Sequence, residues 1–275
     1  MDPILQALIM GIAQGLTEFL PVSSSGHLLL IPEVLGWGDP FISSLAFSVM
    51  LHLGTMVALL AYFWSDWVRL VPAGLATIRD RSFRGDRDRH LAWLLVAATI
   101  PAAIVGLLFN DIIETTIREP WLVVAMLVVG AAVLWIADHF GPRTKGVDDL
   151  RFPVAIGIGV AQAFALIPGI SRSGISISAG RIAGLERPDA ARFSFLMATP
   201  ITIGAIAFEA RSLMTGEAGV TPQLGPLVVG LVASLVAGLL AIHFMLRYLR
   251  TRSLDIFVWY RLGVAALVAI VLLTR

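Results

Sequence analysis

The chain has 275 residues, of which 57% are hydrophobic and 14% charged, against roughly 25% charged in a soluble domain. At a mean hydropathy of +0.86, one water-soluble core could not hide that much apolar surface, so part of the solvent is lipid. A net charge of +1 and the absence of cysteine exclude a partner bound by bulk electrostatics, nucleic acid included, and a disulfide scaffold.

The start, Met1-Asp2-Pro3, is acidic, and no small-residue cleavage site follows a short apolar core, so the first segment reads as part of the fold rather than a secretory signal. Residues 3–36 are hydrophobic but broken by Leu20-Pro21-Val22-Ser23-Ser24-Ser25-Gly26. Apolar stretches near 42–64, 91–110 and 120–138 are each long enough to cross a hydrocarbon core of about 30 Å. Residues 153–186 are broken again, by Pro168-Gly169-Ile170-Ser171-Arg172-Ser173-Gly174. Further spans are expected near 190–210, 224–247 and 255–274. Each broken segment reads as a hairpin of two half-helices that enters and leaves on one side. The predicted fold is an all-α polytopic membrane protein, one domain over 1–275, with six full spans and four half-helices.

The two breaks are copies. A gapless shift of 148 residues lays Gly11-Ile12-Ala13-Gln14 on Gly159-Val160-Ala161-Gln162, and Ser23, Ser25 and Gly26 on Ser171, Ser173 and Gly174. Phe47-Ser48 repeats as Phe193-Ser194 at nearly the same offset. This divides the chain into repeats of about 1–138 and 150–275.

Positive charge orients them. Arg69, Arg79, Arg81, Arg84, Arg87 and Arg89 follow the first span. Arg143, Lys145, Arg151, Arg181, Arg187, Arg192, Arg247, Arg250 and Arg252 fall on the same side by parity, leaving Arg118, Arg211 and Arg275 opposite. The basic side is expected to be cytoplasmic, with both termini and the first hairpin outside, so the repeats are inverted. Trp37, Trp64, Trp67, Trp121 and Trp259 suit an interfacial belt near the span ends.

Inverted hairpins bring their tips together near the midplane. Gln14, Glu18, Ser23, Ser24, Ser25 and His27 lie at one tip; Gln162, Ser171, Arg172, Ser173 and Ser176 lie at the other. Glu18 and Arg172 are costly at depth, which argues for function. Gln14 and Glu18, four apart on a helix, could offer oxygens to a hard divalent cation such as Mg²⁺ or Ca²⁺. Ser23–Gly26 and Ser171–Gly174 each open a helix whose N–H groups and dipole suit an anion, and Arg172 adds a phosphate-binding guanidinium. His27, in the first helical turn, could serve as base to a serine or attack phosphorus itself. His52 and His243 have no such neighbours in the sequence and read as packing or interfacial residues.

The segment Gln14-Gly-Leu-Thr-Glu18-Phe-Leu-Pro-Val-Ser-Ser-Ser-Gly-His27 resembles the (Glu/Gln)-x-x-x-Glu and Ser/His stretch of the undecaprenyl-pyrophosphate phosphatase family, also called BacA. Pro168-Gly169-Ile170-Ser171-Arg172-Ser173-Gly174 is similar to that family's Pro-Gly-x-Ser-Arg-Ser segment. The resemblance implies a bacterial inner-membrane enzyme that removes one phosphate from a C55 prenyl pyrophosphate with a divalent cation. It also implies lipid-carrier recycling for peptidoglycan, bacitracin resistance on overproduction, and a site open to the outer face. By resemblance Glu18 serves metal and catalysis, Arg172 binds phosphate, and Ser24 or His27 is the nucleophile or its helper. Gln14 stands where many relatives carry Glu, and Ser176 where Thr is usual. Ser24, His27 and water stay open as nucleophile, and a second copy of the chain stays open as a partner. A secondary transporter or lipid flippase with a midplane anion site is the alternative from another class.

Overall fold

A computed structural model describes residues 1–82, 86–109, 119–215 and 220–274, with backbone alone for 208–210 and 212–215. Arg84, Arg118 and Arg275 of the charge argument lie outside the described residues. The described residues form eleven α-helices and no strand: α1 Pro3–Phe19, α2 Ser24–Leu35, α3 Leu45–Tyr62, α4 Trp64–Asp80, α5 Arg87–Leu108, α6 Pro120–Phe140, α7 Phe152–Ala163, α8 Arg172–Ile182, α9 Arg187–Thr215, α10 Leu224–Tyr248 and α11 Asp255–Leu273. Six of them (α3, α5, α6, α9, α10 and α11) carry windows long and apolar enough to cross a membrane, so the chain is a multi-pass membrane protein.

Local chemistry sets the breaks. Asp2 caps α1 by accepting the Ile4 N–H at 2.8 Å, with Pro3 at the first helical position. Leu20, which precedes Pro21, is extended and ends α1. α2 restarts at Ser23, whose hydroxyl accepts the Gly26 N–H at 3.3 Å, and α8 restarts at Ser171, which accepts the Gly174 N–H at 3.1 Å. Both capping serines have positive φ, 76° and 75°. An L-residue is strained there, and the same strain recurs at both breaks.

Close helix packing carries the hairpins. A Cβ on Gly15 of α1 would stand 2.5 Å from the Ala237 Cβ of α10, and one on Gly11 would meet the Gly230 carbonyl of the same helix. Gly159 of α7 presses in the same way on the Ala98 carbonyl of α5. Small residues let backbones approach where apolar driving force between helices is weak.

The stretch between the first two spans differs from its expectation as a basic loop. It holds α4, whose exposed Trp64, Val68, Val71, Leu75 and Ile78 recur at helical spacing on one face. Its arginines masked an amphipathic helix of interfacial type. On the same side of the molecule, Asp66 of α4 pairs with Arg69 at 2.7 Å and with Arg192 of α9 at 2.6 Å. Asp138 of α6, almost fully buried, accepts two bonds from Arg187 at 2.7 and 2.9 Å, one from the Leu254 N–H at 3.0 Å, and a longer one from Arg181. That node ties the end of α6 to α8, α9 and the start of α11.

Candidate active site

The two breaks touch. The Ser23 hydroxyl accepts the Gly169 N–H at 3.2 Å, and the Ser173 hydroxyl donates to the Leu20 carbonyl at 3.0 Å. Gly169 has φ +100°, and a Cβ there would stand 2.7 Å from the Val123 carbonyl, so only glycine permits this approach.

Glu18 is the hub. Its Oε1 accepts Arg172 Nη2 at 2.5 Å, and its Oε2 accepts the Ser24 hydroxyl at 2.6 Å and the Gln14 amide at 3.0 Å. A carboxylate receiving three donors is held in one orientation. Two polar atoms at this hub have no partner: the Oε1 of Gln14, an acceptor, and the Nη1 of Arg172, a donor, both buried. A native interior seldom leaves such atoms bare without a ligand to meet them. The first suits a cation and the second an anion.

His52 of α3, read from sequence as packing, lies against the hub. Its Nδ1 donates to the Ser48 carbonyl at 2.8 Å, which turns Nε2 toward Glu18 Oε2 at 3.4 Å. His27 lies in the first turn of α2. Its Nδ1 donates to the Ser23 carbonyl at 2.7 Å, and its Nε2 meets the Tyr260 hydroxyl at 3.0 Å with the rings stacked. The carboxylate bonded to Ser24 is Glu18, and both nitrogens of His27 meet other groups. His243 meets the Tyr62 hydroxyl at 3.4 Å, away from this cluster.

The serines divide by what they touch. Ser23, Ser171 and Ser173 close and cap the tips, as above, and Gly26 and Gly174 supply the capped N–H groups. Ser25 meets the Ser23 hydroxyl at 3.4 Å. Ser176 is turned into the helix packing, donating to the Arg172 carbonyl and meeting the Ser194 hydroxyl, each at 2.6 Å. Only Ser24 is bonded to an ionised side chain in the cluster. Gln162 is buried with neither side-chain atom partnered.

Arg261 of α11 is a residue that the sequence reading passed over. It is fully buried and gives its donors to the carbonyls of Pro21, Gly169 and Ile170 at the breaks, and of Met126 and Leu127 in α6, at 2.7 to 3.2 Å. It satisfies backbone that the breaks leave free, from both hairpins at once. An arginine in mid-span was the available signal.

No group of three or more His, Cys, Asp or Glu that could hold a metal ion occurs among the described residues. Glu18 with the bare amide oxygen of Gln14 nonetheless fits a hard cation that takes one carboxylate and completes its shell from phosphate oxygens and water.

The family described as bacitracin resistance protein BacA matches residues 7–267. An undecaprenyl-diphosphatase of Desulforudis audaxviator is 45% identical over 275 residues, 100% of both chains. Those of Pelotomaculum thermopropionicum and Rubrobacter xylanophilus are 43% and 44% identical, covering 98% of this chain and 96% and 98% of theirs. With its two broken hairpins, its Glu18 hub and a match running nearly end to end, the chain belongs to the BacA family.

Proposed function

We propose that the protein hydrolyses undecaprenyl pyrophosphate to undecaprenyl phosphate and inorganic phosphate, with the two hairpin tips as one active site. The observation that carries the reading is Ser24 bonded to Glu18 beside the unpartnered Nη1 of Arg172. Arg172 and the N-terminal N–H groups of α2 and α8 hold the pyrophosphate. Glu18 takes the Ser24 proton as Oγ attacks the terminal phosphorus in line and prenyl phosphate leaves. The departing prenyl phosphate carries that proton away, which frees Glu18 to deprotonate a water that cleaves the phosphoserine, and Glu18 then returns the water's proton to Ser24 Oγ as phosphate leaves. Glu18 and Gln14 would hold the divalent cation, whose chemistry is to neutralise charge developing on the phosphates.

The basic side, with α4, faces the cytoplasm, and both termini and the first hairpin face outward in a bacterial inner membrane. The two hairpins are inverted repeats, and the product re-enters the lipid-carrier cycle of peptidoglycan synthesis. Overproduction would confer bacitracin resistance by consuming the pyrophosphate lipid. Phosphate release from farnesyl pyrophosphate by purified protein, with and without EDTA, tests the reading beside a lipid-flip assay in sealed vesicles. Metal-dependent release supports the phosphatase; lipid flip without release from folded protein supports the transporter instead.

A further inference from the structure

His52 touches the hub and has no part in the reaction above. Its Nδ1 sits 2.8 Å from the Ser48 carbonyl, which can only accept, so that nitrogen carries a hydrogen. Its Nε2 faces Oε2 of Glu18 at 3.4 Å. Two lone pairs would repel there, so a proton lies between nitrogen and oxygen, and the imidazole holds that oxygen whichever atom carries it. The same turn of α3 also holds Gln14: the Thr55 hydroxyl donates to the His52 carbonyl at 3.0 Å and accepts the Gln14 amide at 3.5 Å. Ser24 bonds the same Oε2 at 2.6 Å.

What the imidazole holds Oε2 against is Arg172. That guanidinium meets Glu18 through Nη2 and Oε1, at 2.5 Å, while its Nη1 is buried without a partner. An arginine and a carboxylate favour two parallel bonds. If Oε2 turned to Nη1 the fork would close. Ser24 would then lose its acceptor, and Arg172 would lose the donor that the proposed reaction gives to phosphate. The duplication supports a joint role for the carboxylate and the imidazole. At the offsets of the sequence matches Glu18 falls on Leu166 and His52 on Ala198, so the second copy lacks both together. A histidine that only packed between helices would have no tie to a glutamate on another helix.

We infer that His52 is a positioning residue: it keeps the Glu18 carboxylate turned toward Ser24 and off the second arm of Arg172, and so leaves that arm for the pyrophosphate. This rests on the phosphatase reading. Because His52 acts through both partners, two quantities move when it is lost. Turnover falls, since the base turns from its serine, and anion affinity falls, since the guanidinium is taken up internally. What the position needs is a hydrogen-bonding group of this reach rather than a ring.

The test compares His52→Leu with His52→Gln in purified protein. Leucine fills the space without a polar atom, whereas glutamine offers an amide N–H to Oε2. For the leucine variant, kcat for phosphate release from farnesyl pyrophosphate should fall about 10²-fold, the cost of a misplaced catalytic group. Direct binding of labelled inorganic pyrophosphate, which needs no turnover, should weaken about tenfold. The glutamine variant should recover most of both losses. A melting curve in detergent separates folding from positioning; should the leucine variant melt early, His52→Ala, which adds no bulk, carries the same comparison. Glutamine performing no better than leucine, or a loss of turnover with unchanged pyrophosphate binding, would overturn the inference. Absence of phosphate release from wild type would sink the phosphatase reading alone, with the binding comparison still deciding the role of His52.

Discussion

Each side chain in the cluster has a distinct set of partners, and that gives its substitution a distinct signature. Glu18→Gln keeps the shape but removes the charge that orients Ser24 and Arg172, so turnover should fall by about 10²- to 10⁴-fold in a phosphate-release assay. His27→Ala should cost less than Glu18→Gln in the same assay, because His27 bonds Ser23 and Tyr260 and not the nucleophile. An equal or larger loss for His27 would favour a phosphohistidine route. Arg261→Met should act on stability first. It leaves buried carbonyls of both breaks without donors, a cost on the order of several kcal/mol, which a melting curve in detergent reads as a large fall. The ionisable pair Glu18 and Arg172 was legible in the sequence because such residues are rare at depth. His52 and Tyr260 were not, since nothing local marks them. Tyr260 is 233 residues from His27, and only the packing of α11 brings them together.

At the scale of elements, the two helix breaks were legible because their cause is local: proline ends α1, serines restart α2 and α8, and Gly169 permits the tip contact. Helix α4 was hidden for a physical reason. Its exposed apolar stripe is interleaved with Asp66, Arg69 and Arg79, so average hydropathy reads as a loop while the periodicity reads as a helix. The α1–α10 contact makes a separate prediction. Gly15→Leu would drive a side chain into Ala237 and the Ser234 carbonyl, which one rotamer change cannot relieve. The expected result is poor yield or aggregation on size exclusion in detergent, whereas Gly157→Leu, with open space around its Cβ position, should behave as wild type.

For the whole molecule, span count and repeat spacing came from composition and self-similarity, and the six long apolar helices agree with that count. What the sequence could not supply is asymmetry between the copies. At the offsets of the sequence matches, Glu18, Ser24 and His52 correspond to Leu166, Arg172 and Ala198, so the two tips carry one carboxylate hub and one arginine rather than two equal sites. The absence of cysteine makes the topology directly measurable. Ser43→Cys, on an exposed turn after the first hairpin, should react with an impermeant maleimide from outside intact cells. Arg250→Cys should react only after the membrane is opened. The reverse pattern would invert the proposed orientation.

Whether the two tips are one site is measured by a mutant cycle across them. Purified wild type, Ser24→Ala, Arg172→Ala and the double variant would be compared for phosphate release from a prenyl pyrophosphate. Residues acting as a unit lose activity together, so each single change should cost at least about 10²-fold and the double scarcely more. Multiplying losses, or wild-type turnover in either single variant, would contradict a shared site built from both hairpins.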